Sequence, residues 1–304
     1  MSWPASTLPP IFPPALRVWL QRLHLTARRA LEGGAGGQFA SLFRGAGITF
    51  EELREYQPGD DIRAIEWKAS ARLGIPFVKR FIEERELSVV LAIDQSGSMS
   101  FGSDGQSKWQ TAVACAALLA LLAAYNRDRV GLAMFDTVVR RFHPPRRGLR
   151  PAMRHIATLL HQQPHREPTD LNQASSFLWR VLRRRSLVIL ISDFLDTDYT
   201  AGLARLGRKH ELIAVRVSDP AEVQLPPHGL FLLEDCETGE RFFLDATQAE
   251  VRSRWNQVTT ELAREFDAGT RTAQVDAWQV STQDDPLTTL RQWLQTRQRG
   301  FPRR

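Results

Sequence analysis

The segment VVLAIDQSGSMS, Val89 to Ser100, runs from an apolar stretch into three oxygen-bearing side chains at alternate positions: Asp94, Ser96 and Ser98. In locally extended backbone, residues i, i+2 and i+4 project to the same side, so one carboxylate and two hydroxyls converge. Gly97, between the serines, lets the main chain pass close to whatever they surround. That donor set suits a hard divalent cation, Mg²⁺ first, with Mn²⁺ or Ca²⁺ as alternatives. Three side chains do not close a shell of six oxygens, so neighbouring loops are expected to add donors. Residues 187–191 form a second apolar strand that ends in Ser192-Asp193, and Pro168-Thr169-Asp170-Leu171 opens a helix with a further hydroxyl. The expected metal set is therefore Asp94, Ser96, Ser98, Thr169 and Asp193. Taken singly, Ser98 and Thr169 are ordinary capping residues and a strand-end aspartate is an ordinary turn residue; the combination is what points to a cation.

Such residues need elements to hold them. Residues 88–94, 129–135, 187–193 and 212–217 read as strands, and 109–125, 151–162, 171–183 and 200–207 read as helices between them. Strands alternating with helices imply an α/β fold: a doubly wound, mostly parallel sheet with helices on both faces, Rossmann-like in layout. In such sheets ligands bind beyond the carboxyl ends of the strands, where the strand order reverses, and Asp94 and Asp193 both sit at strand ends. Residues 138–143 are an expected antiparallel partner of 129–135, and 229–233 with 241–244 an expected second hairpin. Helices at 249–266 and 286–297 flank a strand at 273–280. The expected organisation is a tail and helix over 1–37, a small β-rich extension over 38–87, an α/β core over 88–220, and a C-terminal hairpin, strand and helices over 221–304 completing the core.

The pattern Asp94-x-Ser96-x-Ser98 with Thr169 and Asp193 resembles the metal-ion-dependent adhesion site of von Willebrand factor A-type domains. The resemblance implies that these five residues hold the ion directly or through water. It also implies that an acidic residue of a protein ligand completes the shell. Upstream, LREYQPGDDIRAIEWKASARLG and the residues after it, through PFVKRFIEERE, resemble the domain-of-unknown-function fifty-eight family, in which such a segment precedes a von Willebrand A-like domain. Glu66 stands where the family pattern has Asp and keeps the charge. The match runs over about residues 39–219. It implies an adaptor or chaperone-like partner of a MoxR-type AAA+ ATPase, with chemistry belonging to the ATPase. Arg54, Asp60, Asp61, Arg63, Trp67 and Arg72 in this segment read either as a packed charge network or as a docking face.

Other functions find less support. Ser96 stands where a haloacid-dehalogenase-type phosphatase has its second aspartate, which disfavours a metal-dependent phosphohydrolase. Gln95-Ser96-Gly97 lacks the leading glycine of a nucleophile elbow, and no Gly-x-x-x-x-Gly-Lys phosphate loop occurs. The chain carries a formal +6 from 40 Lys and Arg against 34 Asp and Glu. The excess includes arginine clusters at 28–29, 146–147, 183–185 and 303–304, which permit non-specific nucleic-acid binding but belong to no base-reading motif. Arg146, Arg147 and Arg150 are also expected to border the metal face, as is Asp136. Two cysteines without a C-x-x-C pair fit a reducing compartment. The longest uncharged apolar run, residues 111–125, is short for a membrane helix. A cytoplasmic location is expected, with peripheral attachment at the inner membrane as the alternative.

Overall fold

A parallel strand covered on both faces needs apolar side chains at every position, not at alternate ones. Residues 89–93 and 187–191 meet that demand, and both lie mid-sheet with every side chain buried. The computed structural model describes residues 22–23, 25–27, 52–57, 65, 67–80 and 87–300. In the N-terminal part, β1 (Glu52–Glu55) pairs antiparallel with β2 (Phe77–Arg80), and helix α1 (Trp67–Leu73) lies between them. Among the described residues of the expected β-rich extension, a helix thus stands beside the two strands. WKASARL is built from good helix formers, and Gly74, at φ 76°, ends the helix in the left-handed region.

The main domain follows. Its elements are β3 (Ser88–Asp94), α2 (Lys108–Tyr125), β4 (Arg129–Phe135), β5 (Val139–Arg147), α3 (Leu149–Leu160), α4 (Leu171–Val181) and β6 (Leu187–Ser192). They continue with α5 (Thr200–Lys209), β7 (Glu211–Ser218), α6 (Pro220–Val223), the hairpin β8 (Leu230–Glu234) and β9 (Arg241–Asp245), α7 (Ala249–Ala273), β10 (Asp276–Ser281) and α8 (Pro286–Gly300). Six strands form one sheet in the order β10-β7-β6-β3-β4-β5, parallel throughout except for the antiparallel edge strand β5. β3 lies between β4 and β6, so the chain winds outward from it in both directions.

Each sheet face has its own core. Val89, Leu91 and Ile93 meet α2, α3 and α8, whereas Val90 and Ala92 meet α4, α5 and α7. Ala27, in a helical stretch, is buried against the first of these cores. Helix α2 is apolar nearly all round and is the one helix among the described residues long and apolar enough to cross a membrane; 78% of it lies inside the fold.

Two elements run past their expected ends. β5 continues through Pro144 and Pro145, because an edge strand leaves backbone positions facing away from the ladder and its register against β4 shifts at Gly131. α7 runs on to Ala273 and stops where Gln274 turns left-handed at φ 55°.

A pH-sensitive contact joins two of these elements. His155 of α3 is buried, its Nε2–H donates to the Val130 carbonyl at 3.1 Å, and its Nδ1 lies 3.2 Å from Nδ1 of His143. Burial pushes its pKa down to about 4, against the raising effect of the Val130 carbonyl. The unfolded chain binds this proton near pH 6.5 and the folded chain only near 4, so the neutral-state stability is present above pH 6.5 and declines as pH falls from 6.5 toward 4. Replacing His155 with Gln is expected to remove up to about 3 kcal/mol of that decline, read from urea unfolding between pH 4 and 7. Wild-type and variant curves running parallel through this window would show that His155 is not the group responsible.

Candidate metal centre

Period-two alternation directs the strand-end side chains before any loop geometry is considered. Val90, Ala92 and Asp94 share one face of β3, and Val188, Leu190 and Ser192 share that same face of β6. Ile93 pairs with Ile191, so Asp94 and Ser192 are neighbours across the two central strands. Asp193 falls on the opposite parity, toward the side from which α2 begins.

The Asp94 carboxylate is fully buried and heavily bonded. Oδ1 accepts the Ser96 amide at 2.9 Å, and Oδ2 accepts the hydroxyls of Thr169 at 2.7 Å and Ser192 at 2.6 Å. The Ser96 and Ser98 hydroxyl oxygens lie 3.2 Å apart, and Ser98 bonds the Asp193 carboxylate. These contacts link all five residues of the expected set. Thr169 is free for this role because Asp170 takes the cap of α4, accepting the Gln173 amide at 2.7 Å.

Three surrounding features fix the geometry. Asp136, buried, accepts Arg140 Nε at 2.8 Å and His165 Nδ1 at 3.0 Å. Its backbone carbonyl accepts the Asp170 amide, which sets the segment carrying Thr169. Burial pulls the Asp136 pKa upward, yet the Arg140 and His165 bonds bring it below the ordinary carboxylate value. Second, the backbone turns sharply after Asp193 because Phe194 adopts φ 56°. That conformation is unfavourable for an aromatic residue and is held by ring packing against Tyr199 and Phe266. Third, Gly97 admits no side chain: a Cβ there would fall 2.3 Å from the carbonyl oxygen of Cys236.

The residue that sequence reasoning missed is Lys108, the first residue of α2. It is 0% exposed, and its ammonium donates to Asp193 at 2.7 Å and to Glu222 at 2.5 Å. Glu222 is held by a capping box with Asp219 at the start of α6. Burial pulls the Lys108 pKa down, but Asp193 and Glu222 carry it above its ordinary value; the same pairing lowers Asp193 despite burial. Asp94 has no such partner. Burial, and then the facing Asp193, raise its pKa to about 6, and its hydroxyl and amide bonds offset only part of this.

The donors fit a small hard cation. Neighbouring ligands of octahedral Mg²⁺, each about 2.1 Å from the ion, are roughly 3 Å apart, close to the Ser96–Ser98 separation. Ser98's hydroxyl bond to Asp193 leaves an oxygen lone pair for the ion, and Asp94 is the uncompensated charge beside it. Among the described residues no group of three or more His, Cys, Asp or Glu is disposed to hold a metal, so a cation here depends on the hydroxyls.

Other expected residues lie elsewhere. Arg146 and Arg147 pair with Val130 and Arg129 at the start of β4, whereas Asp94 pairs with Phe135 at its end. β5 is antiparallel, so its arginines, with Arg150 just beyond, sit at the far edge of the sheet, roughly 20 Å away at 3.3 Å per residue. They do not border the edge that holds Asp94; Arg140, paired with Asp136, lies on that side. Arg183–Arg185 precede β6 and also lie at that far edge. Trp67 is 67% exposed and Arg72 is exposed. Arg54 lies on β1; its side chain, and Asp60, Asp61 and Arg63 entirely, lie outside the described residues.

A doubly wound sheet with one antiparallel edge strand and a hydroxyl-rich loop at the carboxyl end of its first strand defines a von Willebrand factor A-type domain. The chain belongs to the family described as "Protein of unknown function DUF58", which matches residues 52–265. Uncharacterized proteins of Mycobacterium tuberculosis and Mycobacterium bovis are each 36% identical over 230 residues, covering 74% of this chain and 72% of theirs. Among solved structures, BatB from Bacteroides thetaiotaomicron shares 14% identity at a TM-score of 0.47, covering 70% of this chain and 100% of that one. The von Willebrand domain of the pilus tip protein Mfa5 from Porphyromonas gingivalis shares 13% at 0.40, covering 72% and 97%.

Replacing Lys108 with Met strands Asp193 and Glu222 as uncompensated charges, and a loss of about 3–5 kcal/mol in unfolding free energy is expected. Urea titration measures this. Adding Asp193→Asn to Lys108→Met is expected to recover part of the loss, since it removes one of the stranded charges; strict additivity of the two changes would count against the coupling.

Proposed function

We propose that this chain is a non-enzymatic protein-interaction module whose binding depends on a divalent cation, Mg²⁺ first, at Asp94, Ser96, Ser98, Thr169 and Asp193. The observation that carries the reading is the setting of Asp94: Oδ2 accepts two hydroxyls and Oδ1 one amide, so the carboxylate is held fixed as an anchor, with an acceptor site left on Oδ1 for a cation. Among the described residues no serine of the cluster is bonded to a histidine that would act as its base. A bound cation would supply an electrophilic coordination position for an incoming carboxylate. Around that position Ser96 and Ser98 offer neutral donors, Lys108 holds Asp193 in place, and the Asp136 network holds the Thr169 segment.

The protein ligand is proposed to present an acidic side chain, and the assembly partner to be a MoxR-type AAA+ ATPase that performs the chemistry. A cytoplasmic location fits a buried apolar helix and two unpaired cysteines.

Calorimetric titration of Mg²⁺ and Mn²⁺ tests the cation. Wild type is expected to bind, and Asp94→Ala and Ser96→Ala/Ser98→Ala are each expected to lose binding while remaining folded by circular dichroism. Absence of metal-specific heat in the wild type, alone and with the ATPase present, rejects the metal-dependent mechanism.

A further inference from the structure

The arginines at 183–185 have no part in the carboxyl edge of the sheet, because they precede β6. At the opposite, amino edge they belong to a larger group. Arg180 lies in the last turn of α4, Arg183, Arg184 and Arg185 form the link to β6, and Arg205, Arg208 and Lys209 lie on α5. α4 and α5 pack side by side, and the strands that follow them are in register, Leu187 opposite Glu211. Contacts between the helices hold the two sets together. Lys209 Nζ donates to the Trp179 carbonyl at 2.6 Å and stands 4.8 Å from the centre of the Trp179 ring. The Arg205 guanidinium stands 5.4 Å from the same ring and donates to Ser176 Oγ.

This charge is not balanced within the fold. Neither residues 173–186 nor residues 199–210 include an Asp or a Glu. The six arginines are exposed, and among the described residues none of the seven cations forms an ion pair. Glu211, the next acid along the chain, is held by Arg297 at 2.7 Å. Arg146 and Arg150, also exposed, add positive charge further along the same edge. Like charges gathered without counter-charges raise the local potential and draw a polyanion to the surface.

Two apolar side chains select among polyanions. Trp179 and Val181, each 39% exposed, stand among these cations. Val181 has nothing to contact on a phosphate backbone, and the Trp179 ring already carries two cations that compete with a stacking base. Exposed tryptophan beside arginine and lysine is the composition that enters the headgroup region of a bilayer. We infer that the amino edge of the sheet docks on an anionic lipid surface, with these cations meeting headgroup phosphates and Trp179 and Val181 entering the interface. The inference does not depend on a cation at Asp94. Docking in this sense turns the edge holding Asp94 and Asp193 away from the bilayer, toward a protein partner.

Sedimentation of the full chain with vesicles tests this, using pure phosphatidylcholine and an equal mixture of phosphatidylcholine and phosphatidylglycerol. Wild type is expected to sediment with the mixed vesicles only, and less as salt is raised. Arg183→Gln/Arg184→Gln/Arg185→Gln, on an exposed link, is expected to weaken partitioning about a hundredfold. Trp179→Ser is expected to weaken it about tenfold. Arg241→Gln/Arg254→Gln/Arg264→Gln removes the same charge from the hairpin and α7 and is expected to bind as wild type does. Circular dichroism checks the fold of each variant. No loss in the Arg183–Arg185 variant, or an equal loss in both triple variants, overturns the proposal, as does wild-type binding to both vesicle types alike or to neither. Undiminished binding of Trp179→Ser overturns the interfacial placement and leaves charge alone. Retention of duplex DNA through Arg183–Arg185 by a chain that does not bind the vesicles gives the patch to nucleic acid and overturns the lipid assignment.

Discussion

A single buried ammonium governs the carboxyl edge of the sheet. Asp193 and Glu222 approach each other only because Lys108 stands between them, and Lys108 tolerates full burial only because both carboxylates meet it. This balance ties together the end of β6, the start of α2 and the start of α6, three elements far apart in the chain. It also leaves the neighbouring carboxylate unbalanced. Asp94 faces Asp193, is fully buried, and has hydroxyls and an amide but no cation. One compensated and one uncompensated acid thus lie side by side, with two serine hydroxyls beside them, and concentrate negative charge at this edge.

The fold makes that asymmetry. Adjacent positions in a strand face opposite sides of the sheet. Asp94 and Ser192 point toward the layer of α4, α5 and α7, where Thr169 arrives on the segment preceding α4. Asp193, one residue past Ser192, points toward the layer from which α2 rises, where Lys108 is the first helical residue. The two acids therefore recruit different partners from opposite layers and still meet at the sheet edge. The left-handed turn at Phe194 preserves this by taking the chain away immediately after Asp193, with aromatic packing holding a conformation that Phe does not favour by itself.

How much of this was legible depended on sequence distance. Asp94, Ser96 and Ser98 lie within five residues, and their alternation alone places them together. Thr169 and Asp193 were legible because each follows a recognisable element boundary, and the two apolar strands announced the parallel sheet. Lys108 was not legible: at the start of an alanine-rich helix it reads as a solvated helix-end charge, and its partners lie 85 and 114 residues away. Ser192 stood in plain view but acquires meaning only from the β3–β6 register. The arginines at 146, 147 and 150 were misplaced for the converse reason. They lie at and just past the end of β5, an antiparallel strand that leaves the edge holding Asp94 and carries them to the opposite one. Helix α1 was hidden by the Pro58-Gly59-Asp60-Asp61 turn signal, which outweighed the helix-forming composition of the seven residues at 67–73.

Charge balance also constrains how a partner can engage the site. Asp94, Asp193 and Glu222 set three carboxylates against the single ammonium of Lys108, which leaves an excess of two negative charges at this edge when all three are ionised. The β8–β9 hairpin reaches this edge through the exposed Arg166–Glu234 pair, a weak surface contact, and through main-chain packing on Gly97. Its Leu230, Leu232, Phe242 and Phe243 are exposed, whereas Phe231, Leu233 and Leu244 on the other face are half-buried. An approaching carboxylate would meet this excess of negative charge, whereas a positive group would relieve it.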